Sequence, residues 1–117
     1  MIKVVWLLKR APHLTLEEFR QWWIEEHAPL VAGKQQPQLR KYRISVRDSD
    51  VDTLAGAPSA DCDWDGFAEQ WFDSEEAFNQ VYGRHSAHET RDDTDRHVSK
   101  LARIFVTEHA YVEPGAV

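Results

Sequence analysis

His27 is the residue in this sequence best placed to move a proton. It lies in the run TLEEFRQWWIEEHAPL, residues 15–30, and an imidazole titrates near neutral pH, so it can act as acid or base where apolar neighbours cannot. At about 100° per residue, Leu16, Phe19, Trp23, His27 and Leu30 share one side of a helix, while Glu17, Glu18, Gln21 and Glu25 lie elsewhere. The competing reading is structural, because a lone imidazole on an apolar face is more often a satisfied core residue than a catalyst. Pro29 adds a second clue: it lacks an amide donor and frees a carbonyl about one turn earlier, which predicts a bend near His27.

Other chemistry-bearing residues make weaker sets. His85 and His88, with Glu89, Asp92, Asp93, Asp95 and His97 after them, can be drawn as a site of two histidines and one carboxylate. Ser86 as a helix cap would interrupt that run, and a solvated charged face accounts for it better. His88, His97 and His109 are nominal haem ligands with no supporting motif. Cys62 is the single cysteine, so the chain can form neither an internal disulfide nor a cysteine-based zinc site, and no basic neighbour activates the thiol. Serine triads, glycine-rich phosphate loops and dinucleotide fingerprints have no match. The expectation is a site without metal or cofactor.

The elements that must position these residues follow from patterning. Thr15 and Glu18 form a capping box that starts the helix, and Gly33 with Pro37 ends it by about residue 34. Residues 2–8 are apolar on both alternating sets, as in a strand covered on both faces. Residues 39–46 alternate, placing Arg40, Tyr42, Ile44 and Val46 on one face and Leu39, Lys41, Arg43 and Ser45 on the other. A third strand is expected over 64–72, where small residues Gly66 and Ala68, sharing a face with Gln70 and Phe72, leave space for a pocket. Between these strands, 48–63 reads as a long loop with the length of a lid. Asp73 with Glu76 caps a short helix ending at Gly83, and Ser86 with Glu89 opens a polar stretch read as a loose helix or helix plus loop. A closing strand is expected over 102–112, with residues 113–117 as a frayed tail.

This order makes residues 1–117 one α+β domain of ferredoxin-like βαββαβ architecture, with a four-stranded antiparallel sheet and helices on one face. A strand apolar on both sides needs a second cover, and a second copy of the sheet is the economical one, so a homodimer is expected. The 14 Lys and Arg against 20 Asp and Glu give a formal charge of -6, which argues against nucleic acid or an anionic membrane as the partner. Five tryptophans in 117 residues are ample for walling a pocket around a ring compound. With no leader or spanning segment expected, the chain reads as soluble and cytoplasmic.

The run VVWLLKRAPHLTLEEFRQWWIEEHAPLV, then LRKYRISV, DGFAEQWFDSEEAF and FVTEH, resembles the EthD-like group of dimeric α/β-barrel proteins, related to methylmuconolactone isomerases. The pattern from Phe19 to Leu30 and the W-F-D-S at Trp71 to Ser74 are its most specific parts. The resemblance implies a cofactor-independent domain that pairs sheet to sheet, with a pocket between sheet and helices for a small cyclic or aromatic compound. Its relatives carry out isomerisation, decarboxylation or dehydration, so kinship alone selects no reaction. It also implies catalytic roles for His27, matching the family's helix histidine, and for Tyr42, matching a tyrosine near the substrate of the lactone isomerases. Gln70 stands where those isomerases carry a cysteine, a departure from their lactone chemistry. The expected pocket is Phe19, Trp23, Arg40, Gly66, Ala68, Gln70, Phe72 and His85. Two alternatives remain open: a binding protein that sequesters an apolar compound without turnover, and a haem or metal protein.

Overall fold

Thr15 starts the first helix by a reciprocal cap. Its hydroxyl accepts from the Glu18 amide at 3.1 Å, and its own amide donates to the Glu18 carboxylate at 3.0 Å, satisfying two donors that a helix start leaves without carbonyl partners. In this computed structural model, which describes residues 1–50 and 62–115, the helix runs as α1 (Leu16–Trp22), a π-helical turn (Trp23–His27) and α2 (Ala28–Lys34). The wide turn has its cause in Pro29. Without an amide hydrogen, proline leaves the Glu25 carbonyl no partner four residues on and crowds it sterically; the Ala28 amide instead reaches back five residues to the Trp23 carbonyl. The expected bend is therefore a local widening at the histidine. Gly33 does not cap this helix, which continues to Lys34 and closes at Gln35.

Strands β1 (Ile2–Arg10), β2 (Leu39–Val46), β3 (Gly66–Phe72) and β4 (Val98–Val106) form one antiparallel sheet in the order β2-β3-β1-β4. With α3 (Glu75–Tyr82) and α4 (Ala87–His97), the fold is ferredoxin-like α+β. The register aligns Tyr42 with Gln70 and Val4, and Ile44 with Ala68, Trp6 and Arg103. Residues paired across neighbouring strands point to the same face, so both rows meet the helices. Trp6 and Tyr42 pack against both hydrophobic clusters of the core, one around Val4, Phe72 and Phe78, the other around Leu8, Phe19 and Trp23. On the opposite face Phe67 and Ile104 are exposed beside half-buried Val5 and Leu7.

Several boundaries differ from the sequence expectations. In β2 the pairing slips between Leu39 and Lys41, a bulge that leaves Arg40 without a partner, exposes it, and turns buried Leu39 to the helix side. The third strand starts at Gly66 rather than residue 64. Ser74, not Asp73, caps α3 through the Ala77 amide, and Ser86 makes no side-chain cap. The polar stretch is a regular eleven-residue helix, α4. The closing strand runs from Val98 to Val106, earlier at both ends than expected. Most of the long loop, residues 51–61, lies outside the described residues, as does the end of the expected tail. No described helix is long and apolar enough to cross a membrane.

Candidate active site

The π turn decides what His27 faces. Residues five apart on an α-helix diverge by about 140°, but a turn closed over five residues brings them nearly into line. Accordingly the His27 ring stacks on the Trp22 indole, with centroids 4.7 Å apart, and His97 of α4 stacks on the same indole at 4.3 Å. Asp93 joins the three rings: its Oδ2 is 2.8 Å from His27 Nδ1, and both of its oxygens accept from Trp22 Nε1 at 3.2 Å. His97 Nδ1 meets the Asp93 backbone carbonyl at 2.7 Å, within the same helix.

This geometry sets the protonation. Burial pushes the His27 imidazole below its usual range, outweighing the hydrogen bond and charge of Asp93 that act to raise it. Burial acts to raise the Asp93 carboxyl, but hydrogen bonds from His27 and Trp22 outweigh it and hold the group below the ordinary carboxylate range. At neutral pH Asp93 is therefore an acceptor and His27 is neutral with its proton on Nδ1, which leaves Nε2 as the basic atom. Nε2 is 3.3 Å from the Thr94 hydroxyl, whose single proton is within reach of either Nε2 or the Thr90 carbonyl, the latter at 2.9 Å. That hydroxyl can donate to neutral His27, or accept from the imidazolium while bonded to Thr90, so either charge state is accommodated.

His27 and Thr94 form one side of a cavity of about 320 Å³ between helices and sheet. Trp6, Trp23, Tyr42 and Ala68 wall it with mainly apolar surface, and Tyr82, Gln35 and Gln70 add a polar corner. Burial pushes the Tyr42 hydroxyl far above the usual phenol range, offset only in part by a hydrogen bond with Trp23, so Tyr42 is a neutral hydrogen-bond donor rather than a base. Gln70, 2 % exposed, is occupied within the protein. Its Oε1 accepts from Trp6 Nε1 and Tyr82 Oη, both at 2.8 Å, and its Nε2 donates to Gln35 Oε1 at 2.6 Å.

An EthD-domain family model matches residues 11–101, most of the chain and every element from α1 to α4. The chain belongs to the EthD-domain family. Among solved structures, it is similar to an ethyl tert-butyl ether D (EthD) family protein from Bacillus halodurans, with 19% identity, a TM-score of 0.68, and 93% of this chain covering 100% of that one. An EthD-like protein from Ralstonia eutropha matches at 18% identity and a TM-score of 0.65 over 97% of this chain and 95% of its own. A dimeric ferredoxin-like protein from Thermobifida fusca matches at 14% identity and a TM-score of 0.61, over 92% and 90% of the two chains. At these identities the likeness is one of fold. No curated protein matches the chain in sequence.

Within this EthD domain, the expected site residues divide into two groups. His27, Tyr42, Trp23, Ala68 and Gln70 line the cavity. Phe19 is buried behind it, against Trp22 and Trp23 at 5.6 and 5.5 Å, and Phe72 belongs to the other core cluster, edge-on to Phe78. Gly66 does not leave open space: a Cβ there would strike the Ser45 carbonyl oxygen and come within 2.7 Å of Trp23 Cζ3, so the missing side chain is where Trp23 seats on the sheet. Arg40 is turned outward by the β2 bulge, 3.9 Å from Asp73, and His85 is exposed, edge-on to His88 at 5.4 Å. Neither reaches the cavity. Among the described residues no three His, Cys, Asp or Glu side chains are grouped to hold a metal.

Asp93, Thr94, Trp22, Tyr82 and Gln35 were not expected at the site. A signal did exist on α4: Thr90, Asp93, Thr94 and His97 recur at the i, i+3, i+4, i+7 spacing of a helix face. Being polar, that stripe is easily read as solvent-facing.

Proposed function

We propose that this EthD domain is an acid–base enzyme, an isomerase or lyase acting on a small cyclic or aromatic compound through its own side chains. The observation that carries the proposal is the 2.8 Å contact between His27 Nδ1 and Asp93 Oδ2 at the wall of an aromatic-lined cavity. A carboxylate on Nδ1 fixes the tautomer and stabilises the imidazolium that forms when Nε2 takes a proton. Nε2 would remove a proton from a carbon made acidic by an adjacent carbonyl or ring. Tyr42 would donate a hydrogen bond to the oxygen on which negative charge develops. Return of the proton at another carbon completes an isomerisation; its delivery to a departing hydroxyl completes a dehydration.

The domain acts as a homodimer in this reading. Phe67 and Ile104, 39% and 49% exposed on the helix-free sheet face, supply an apolar surface of the kind that a second sheet covers. The dimeric Thermobifida protein shares the fold, which supports the same assembly here. Ile104→Lys, followed by sedimentation, is expected to yield monomer.

The decisive experiment is NMR in D₂O on a panel of hydroxylated aromatics and unsaturated lactones, comparing wild type with His27→Gln. Deuterium incorporation or product formation by wild type and its loss in the variant are expected. Binding without exchange by either protein would replace this reading with that of a carrier.

A further inference from the structure

The cavity rim carries an imbalance of charge that the acid–base chemistry does not use. Among the described residues its lining includes two guanidiniums, Arg91 and Arg103, and one carboxylate, Asp95. Elsewhere in this acidic chain Arg10, Arg20, Arg40, Arg47 and Arg96 each have a carboxylate partner, while Arg43 lies over the Trp71 ring and Arg84 donates to the Lys34 carbonyl and to Gln38. Neither Arg91 nor Arg103 has one among the described residues.

Arg103 is exposed at the cavity mouth, and its side chain packs over aromatic rings. The β1–β4 register sets it opposite Trp6 on the helix-facing side of the sheet. Its guanidinium carbon lies 5.6 Å from the Trp6 ring centroid, 5.7 Å from Phe78 and 5.5 Å from Phe105. Aromatic faces fix a guanidinium by cation–π attraction without using its N–H donors, which stay free to form a planar fork. The charge is felt inside the cavity: burial raises the Tyr82 hydroxyl, and Arg103 is among the groups that act in the opposite direction.

We propose that Arg103 is a specificity-determining residue that receives the carboxylate of the substrate, and that the cavity therefore takes cyclic or aromatic acids rather than their neutral analogues. This assignment rests on the proposed acid–base reading for the use of the site, but concerns binding alone. The ring would lie between the Trp6 and Trp23 walls, the carboxylate on Arg103 at the rim, and the reacting carbon toward His27. Arg91 adds charge to the same lining and Asp95 opposes it, so the net attraction for an acid falls to Arg103.

The test is calorimetric, using two matched pairs: 2,4-dihydroxybenzoate with its amide, and cyclohex-1-enecarboxylate with its amide. Wild type is expected to bind each acid at least about tenfold more tightly than its amide, the scale of a charge-assisted pair. Arg103→Gln should bring the two to near parity without weakening the amide, and Arg103→Lys should retain part of the preference. Equal binding of acid and amide by wild type, a preference that survives Arg103→Gln, or no binding of either acid at millimolar concentration would each overturn the proposal. His27→Gln separates the two readings. Acid preference kept in that variant, with no turnover by wild type, defeats the enzyme reading alone; turnover by wild type without acid preference defeats this one alone.

Discussion

Asp93 Oδ2 and His27 Nδ1 stand 2.8 Å apart although 66 positions separate them in the chain. The contact joins a π turn to the middle of α4, and it gives His27 a defined tautomer within a largely buried site.

Asp93→Asn is the direct test of that relationship. An amide can occupy the same place but cannot stabilise an imidazolium by charge, and it can favour the wrong tautomer. Turnover is expected to fall by roughly 10²–10⁴-fold, with KM changing far less. Because Asp93 acts to raise the His27 pKa, the acid limb of any remaining activity should move to lower pH. A pH–rate profile of the two proteins reads both effects.

Stability should fall on acidification below pH 6.5. The folded-state pKa of His27 is depressed from the ordinary imidazole value of 6.5, so between the two values the unfolded chain binds more protons and stability rises with pH. The contribution is complete above 6.5 and is lost as pH drops through the folded pKa. Asp93, also depressed, from 3.8, acts with the same sign at lower pH. Urea titrations from pH 4.5 to 7.5 should give a flatter dependence for His27→Gln than for wild type.

Gln70→Leu should destabilise the domain by about 3 kcal/mol, because the change leaves the Trp6 indole, the Tyr82 hydroxyl and the Gln35 carbonyl oxygen without a shared partner in a buried place. Gln70→Glu keeps an acceptor for Trp6 and Tyr82 but opposes Gln35 Oε1 with a second acceptor, so it should also be less stable than wild type. Denaturant midpoints measure both.

Gly66→Ala tests how Trp23 is seated. The added Cβ meets the Ser45 backbone and the Trp23 ring, and overpacking at a fixed backbone position costs about 1–3 kcal/mol. The indole is expected to move into the cavity, so ligand affinity should fall along with stability. Thermal melts and calorimetry with a bound ring acid would register the two losses.

The sequence by itself determined the elements whose causes are local. Thr15 and Glu18 cap a helix through bonds three residues apart. Alternation in residues 39–46 makes a strand, and Pro29 disturbs the backbone hydrogen bonding beside His27 whatever the rest of the chain does. The order of these elements was enough for a ferredoxin-like sheet, and the helix pattern at Phe19 to Leu30 for the EthD family. The site was legible only where a residue's neighbours in sequence are also its neighbours in space. Arg40 was misplaced because one bulged residue reverses the facing of what precedes it, and alternation carries no mark of a bulge. Gly66 was read as empty space because a sequence does not say which side chain fills the room a glycine leaves. Asp93 looked like one of several solvated carboxylates, and only the packing of α4 beside the π turn set it on His27 and Trp22. Burial and charge pairing arise between segments far apart in the chain. Tertiary structure alone therefore decided which carboxylate orients the histidine, which glutamine joins the aromatic residues, and which arginines line the cavity without a carboxylate partner among the described residues.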